Sequence, residues 1–193
     1  MADIGMTDLI GPTVGAIAGA AFTIVGTIYI PRIRRWLIGP KLKISFGDSR
    51  EYQRITKLRG QTEDTIFIRL KVTNSSPTVA EGCQPYLVGV EVRQEDGSYS
   101  DNQFCDSIPL AWSAHGEKRH NPIDIPRWVN QYVDLVSATE GTNNFGVHLR
   151  NNLNRYENMF HEGHYYRFKV QVSAKNADPV FIKIEFQWLR SCS

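Results

Sequence analysis

His161-Glu162-Gly163-His164 sets two histidines three residues apart with an acid between them. The pattern approaches a metal site. A zinc-protease helix needs its histidines four apart so that both rings reach one ion, with a glutamate beside the first as base. Here the spacing is one residue short, and Gly163 breaks a helix. The segment therefore reads as a turn holding two exposed histidines. His115 and His120 flank the polar stretch AHGEKRH and could add ligands only if the two loops met. Cys83, Cys105 and Cys192 form no CxxC pair. A nucleophilic cysteine needs a neighbour that lowers its pKa, and neither Cys83 nor Cys105 sits in such a signature. Both read as buried structural residues. The chain has no GxSxG, no phosphate-cradling glycine loop and no dinucleotide fingerprint. The paired acids Glu63–Asp64 and Glu95–Asp96 lie in turn-like sequence and read as solvated loop charges. No catalytic, cofactor-binding or metal-ligating residue is expected. A metal-dependent hydrolase built from the loop histidines is the third-ranked reading.

Residues 116–130, GEKRHNPIDIPRWVN, form a long connection punctuated by proline and carrying Arg127 next to Trp128. Long ordered loops between strands are where β folds bind partners, and arginine and tryptophan are over-represented at the energetic centres of interfaces. The competing reading tucks Trp128 into the core. Asn74-Ser75-Ser76 matches a glycosylation triplet but is equally ordinary turn sequence.

The elements that must position these residues begin with an apolar segment. Leu9–Ile30 is 22 residues without a charge. As a helix it spans about 33 Å, enough for a hydrocarbon core of about 30 Å. Arg32, Arg34, Arg35 and Trp36 follow it as an interfacial anchor. The preceding residues carry Asp3 and Asp8 and no base, which argues against a cleaved signal peptide. The positive flank places the N-terminus outside and the rest of the chain in the cytoplasm, at the inner or plasma membrane. Gly11, Gly15 and Gly19 recur every fourth residue on one face, a row that permits close helix–helix approach and a homo-oligomer. The 193 residues carry 22 bases and 20 acids, a net charge of +2, with 41% hydrophobic and 22% charged residues. That composition fits a folded chain and gives no signal for nucleic acid. An odd cysteine count argues against a disulfide framework.

Beyond the connector 31–41 the period is two. In TIFIRLKVTN (65–74), Ile66, Ile68, Leu70 and Val72 alternate with Phe67, Arg69 and Lys71, as a strand with one buried face should. LKISF (42–46), YLVGVEVRQ (86–94), NQYVDLVSAT (130–139), NFGVHL (144–149), YYRFKVQVSA (165–174) and VFIKIEFQWL (180–189) share this character, and IPLAW (108–112) is a shorter candidate. Turn sequences such as NSSP, EDG, HEG and KNADP separate them. A short helix is plausible over 149–160. The predicted fold is mainly β: an N-terminal tail (1–8), a single transmembrane helix (9–30), and an antiparallel sandwich over 42–190.

Val72, Asn74, Ala80, Cys83, Tyr86 and Leu87 follow the order strand, Asn, small polar turn, Ala, two residues, Cys, strand. This resembles the opening of immunoglobulin-like sandwich domains in uncharacterised prokaryotic membrane-anchored proteins. IPLAWS, QYVDLV, YYRFKVQVSA and VFIKIEFQW are similar to their downstream strands, so the likeness covers about 130 residues. It implies the fold and membrane anchoring but no catalytic residue. The resulting expectation is a non-enzymatic, membrane-tethered sandwich that binds or scaffolds an unknown protein partner and self-associates through its helix. A bilayer-perturbing oligomeric effector is the alternative.

Overall fold

A computed structural model describes residues 38–57, 62–101, 106–139, 145–147, 160, 161 and 163–187. Its named elements are strands and two single-turn 3-10 segments, Arg50–Tyr52 and Gly116–Lys118. Among the described residues no helix is long and apolar enough to cross a membrane. The expected fold class of a transmembrane helix followed by a sandwich, and with it the single-pass description, is therefore corrected to a mainly β fold of two antiparallel sheets. The described segments pack as strands, most clearly β11, where Tyr166, Phe168, Val170 and Val172 are buried at every second position. The row Gly11, Gly15 and Gly19 and the proposed anchor Arg32, Arg34, Arg35 and Trp36 lie outside the described residues, as does all but the end of the 149–160 segment.

The first sheet runs β1 (Leu42–Ser45), β3 (Asp64–Asn74), β9 (Asn130–Thr139) and β10 (Phe145–Val147), with β2 (Gln53–Lys57) paired to β3 and β7 (Ala111–Trp112) to β9. β1 and β2 share one edge of β3, opposite residues 71–74 and 64–68 respectively. The second sheet runs β12 (Val180–Gln187), β11 (Tyr165–Ser173), β4 (Ala80–Arg93) and β5 (Tyr99–Asp101), with β6 (Ile108–Pro109) and β8 (Ile123–Ile125) also on β4.

One core draws on both sheets. Leu70, Val72, Val133 and Leu135 come from the first, and Leu87, Val90, Phe168, Val170 and Ile184 from the second. Leu110 and Trp112, both fully buried, enter from the crossing between sheets. IPLAW is that crossing. Ile108–Pro109 pairs with Tyr86 and Leu87, Leu110 N–H donates to Pro85 O at 2.9 Å, and Ala111–Trp112 then joins β9. Fully burying a side chain of this size contributes about 1.5–3 kcal/mol, so this short run stabilises more than its length suggests. β9 carries an irregularity opposite Ile68/Arg69, and there Leu135 and Val136 are both buried. A bulge sends two consecutive residues inward, where strict alternation would allow one.

Candidate functional site

Asn74 closes β3 and is fully buried. A buried primary amide has two donors and an acceptor with two lone pairs to satisfy, and all four positions are used. Oδ1 accepts from Lys41 N–H at 3.2 Å and Ser76 N–H at 3.1 Å, while Nδ2 donates to Thr78 O at 2.7 Å and Ile125 O at 3.0 Å. One side chain thus fastens the entry to β1, the 75–79 turn and the end of β8. Its backbone adds a fourth segment: Trp128 N–H donates to Asn74 O at 2.9 Å, and Asn74 forms an isolated parallel bridge with Arg127.

That fourth segment presents Trp128. Val129 N–H reaches back to Pro126 O at 3.4 Å, so Trp128 takes the third position of a tight turn with φ of +61°. Glycine is the ordinary occupant of such a position, and a bulky side chain there is strained by about 1 kcal/mol or more. Trp128 is 62% exposed, and Arg127 lies over its ring at 5.0 Å. The alternative that tucked Trp128 into the core is corrected: the left-handed turn aims the ring outward and leaves Ile125 to fill the core beside it. Val129 is also exposed, as is Val79 on the turn that Asn74 Nδ2 holds.

The same end is tied to the second sheet. Glu81 N–H donates to Asn176 Oδ1 at 3.0 Å, Asn176 Nδ2 donates to Val79 O at 2.9 Å, and Lys175 N–H donates to Glu81 O at 2.9 Å. Gly82, at φ +58°, donates to Asp124 Oδ1 at 2.7 Å. Its backbone conformation and the register shift between Ala80 and Cys83 mark a bulge where β8 meets β4. Cys83 lies beneath, fully buried, with its thiol donating to Ala80 O at 3.5 Å. Burial, reinforced by the charge of Asp124, pushes that thiol up to about 11. It is a packed, protonated sulfur rather than a nucleophile. Cys105 and Cys192 lie outside the described residues.

His161 and His164 occupy the turn that leads into β11. His164 N–H reaches His161 O at 3.4 Å across Gly163, at φ +83°. The two rings sit edge to face, 5.7 Å between centroids. Buried Tyr166 accepts His161 N–H on its hydroxyl at 2.6 Å and packs against Phe160. Burial raises its phenol above the ordinary tyrosine value. The pair is part of a structural corner. His115 sits in the loop after β7, with Nε2 at 3.4 Å from Gln131 Oε1. Among the described residues no three His, Cys, Asp or Glu side chains gather as metal ligands.

Sequence reading found Arg127 and Trp128 but not Asn74 as their holder. Its only sequence signal is an asparagine at a strand end before SSP, a pattern that marks a turn without showing its long-range partners.

No protein-family model matches the chain. No curated protein matches it. Solved structures it resembles include a Bordetella pertussis protein provisionally named ApaA, at 9% identity and TM-score 0.34, covering 79% of this chain and 97% of that one. Another is a structural-genomics target at 6% identity and TM-score 0.27, covering 78% and 86%. Likenesses this weak carry no argument about activity.

Proposed function

We propose that this chain is a non-enzymatic binding module whose partner is a protein, engaged by the loop bearing Arg127 and Trp128. The observation that carries the reading is a strained, exposed tryptophan on a loop fixed by a buried, fully hydrogen-bonded asparagine. An exposed apolar ring adds little to folding, and its backbone conformation costs stability, so its retention fits a role outside the fold. A surface already held in one conformation loses less entropy on binding than a mobile loop. The indole suits an apolar pocket and Arg127 suits an acidic group beside it, a pairing common at the centre of interfaces. Tyr166 bonding back to the backbone five residues upstream also fits an immunoglobulin-like sandwich, a fold that often binds through its end loops.

The test is a photo-crosslinking amino acid placed at Trp128 and, as control, at Phe181, which is 64% exposed on β12. The expected result is a discrete protein adduct from position 128 that excess wild-type domain competes away, with none from 181. Equal, non-competable labelling from both positions would overturn the reading.

A further inference from the structure

The first sheet carries a cleft of about 280 Å³ that the Trp128 loop does not line. Its walls are Arg54 and Thr56 on β2, Phe67 on β3, Asp134 on β9, and the turn after β7. This volume falls just below the range of drug-sized sites, which begins at about 300 Å³, so the cleft has room only for a compact ligand. Arg54 and Phe67 are directly opposed across β2 and β3, which fixes one wall by sheet register. The other wall is fixed by backbone bonds. Ser113 N–H donates to Tyr132 O at 2.7 Å, Trp112 N–H to Arg119 O at 2.6 Å, and Arg119 N–H to Gly116 O at 3.2 Å. Ala114 takes φ +62° and Gly116 φ +54° to make this turn. A non-glycine residue held there is a second strained position, distinct from Trp128.

The cleft gathers several cations on one concave surface. Three cations on the sheet faces are matched: Lys71 sits 3.0 Å from Glu51, Arg167 pairs with Glu185 and Glu91, and Lys169 pairs with Glu91. Arg54, Lys57 and Arg119 all border the cleft, and among the described residues none lies within ion-pair distance of an acid. His115 adds an imidazole ring to the wall. The one acid present, Asp134, accepts the Ser113 hydroxyl on Oδ1. Three cations facing one carboxylate across a concave surface concentrate positive potential there. Two guanidinium groups also offer planar donor pairs that match the oxygens of a phosphoryl or carboxyl group.

We infer that this cleft binds a small oxyanionic molecule bearing at least two negative charges, gripped between Arg54 and Arg119 with Lys57 at the rim. The inference is independent of the Trp128 reading, because the two sites share no residue. The probes are pyrophosphate and citrate, titrated into the full chain at low salt and followed by calorimetry. Saturable binding of one probe per chain is expected, weakened at least tenfold by Arg54→Gln or Arg119→Gln and weakened by added salt. Arg127→Gln should leave it unchanged. Because Arg54 and Arg119 are both exposed, these variants should keep the wild-type melting temperature. Stronger binding of pyrophosphate assigns a phosphorylated ligand, and stronger binding of citrate a polycarboxylate. Absence of saturable binding by both, or binding that survives both arginine substitutions, would overturn the inference.

Discussion

At the residue scale Asn74 holds together the end of the molecule that presents Trp128. Removing its amide strands the backbone N–H groups of Lys41 and Ser76 and the carbonyls of Thr78 and Ile125, of which the Ser76 and Ile125 bonds are buried and the other two partly so. Each unpaired buried group costs about 1–3 kcal/mol, partly relieved where water enters. Asn74→Ala should therefore lower unfolding free energy by about 2–4 kcal/mol in a urea titration, whereas Ser75→Ala, at an exposed neighbour, should change it by less than about 0.5. Equal effects would show that the hub is not what holds this end. Cys83 makes a second prediction. A thiol raised to about 11 by burial is protonated at neutral pH and out of reach, so iodoacetamide should modify it only after denaturation. Peptide mapping that finds Cys83 alkylated in the native protein would contradict its placement in the core.

At the element scale, alternation carried most of the sheet. The segment 165–174 is the clearest because one face of β11 is buried throughout, and 65–74, 130–139 and 180–189 stay legible in sequence although β3 exposes Ile66, β9 bulges at Leu135 and Val136, and β12 buries only Ile184. β2, β5 and β8 were missed for a different reason. QRITK is almost wholly exposed, and YSD and IDI are three residues long, so backbone pairing rather than burial makes them strands. YLVGVEVRQ was found, but β4 begins six residues earlier, at Ala80, where Gly82 and Pro85 hid a strand that bends through a bulge. IPLAW was read as one strand and divides between two sheets, because only the whole fold decides which neighbour each half meets. The candidate site was half legible. Arg127 and Trp128 stood out by residue type, whereas the exposure of the ring depends on a left-handed turn that no local pattern announces.

At the scale of the whole molecule, two sheets share one core, and their outer faces are laced by charge. Across β12, β11, β4 and β5, Arg167 bridges Glu185 and Glu91 and stacks 3.6 Å from the Tyr99 ring centre. On the other sheet Lys71 and Tyr132 both reach Glu51. Hydrogen bonds from these cations, Lys71 for Glu51, Lys169 for Glu91 and Arg167 for Glu185, hold the three carboxyls below the usual glutamate value. A depressed carboxyl binds fewer protons folded than unfolded, so its contribution is fully present above the unfolded pKa of about 4.3 and fades as pH falls through the folded value. Melting temperature should thus fall as pH drops below about 4.5. Glu91→Gln should lower it at pH 7 and make that fall shallower. Parallel pH curves for the variant and the wild type would show that Glu91 is not coupled to its two cations.

The proposed role of Trp128 ties its backbone strain to binding. The decisive measurement is the affinity of Trp128→Gly for the protein captured at that position, taken alongside its melting temperature. Glycine relieves the left-handed backbone and removes the ring. The expected result is at least about 30-fold weaker binding, equivalent to about 2 kcal/mol, with a melting temperature no lower than wild type. Affinity within threefold of wild type, or a clear loss of stability, would contradict it and return Trp128 to the fold.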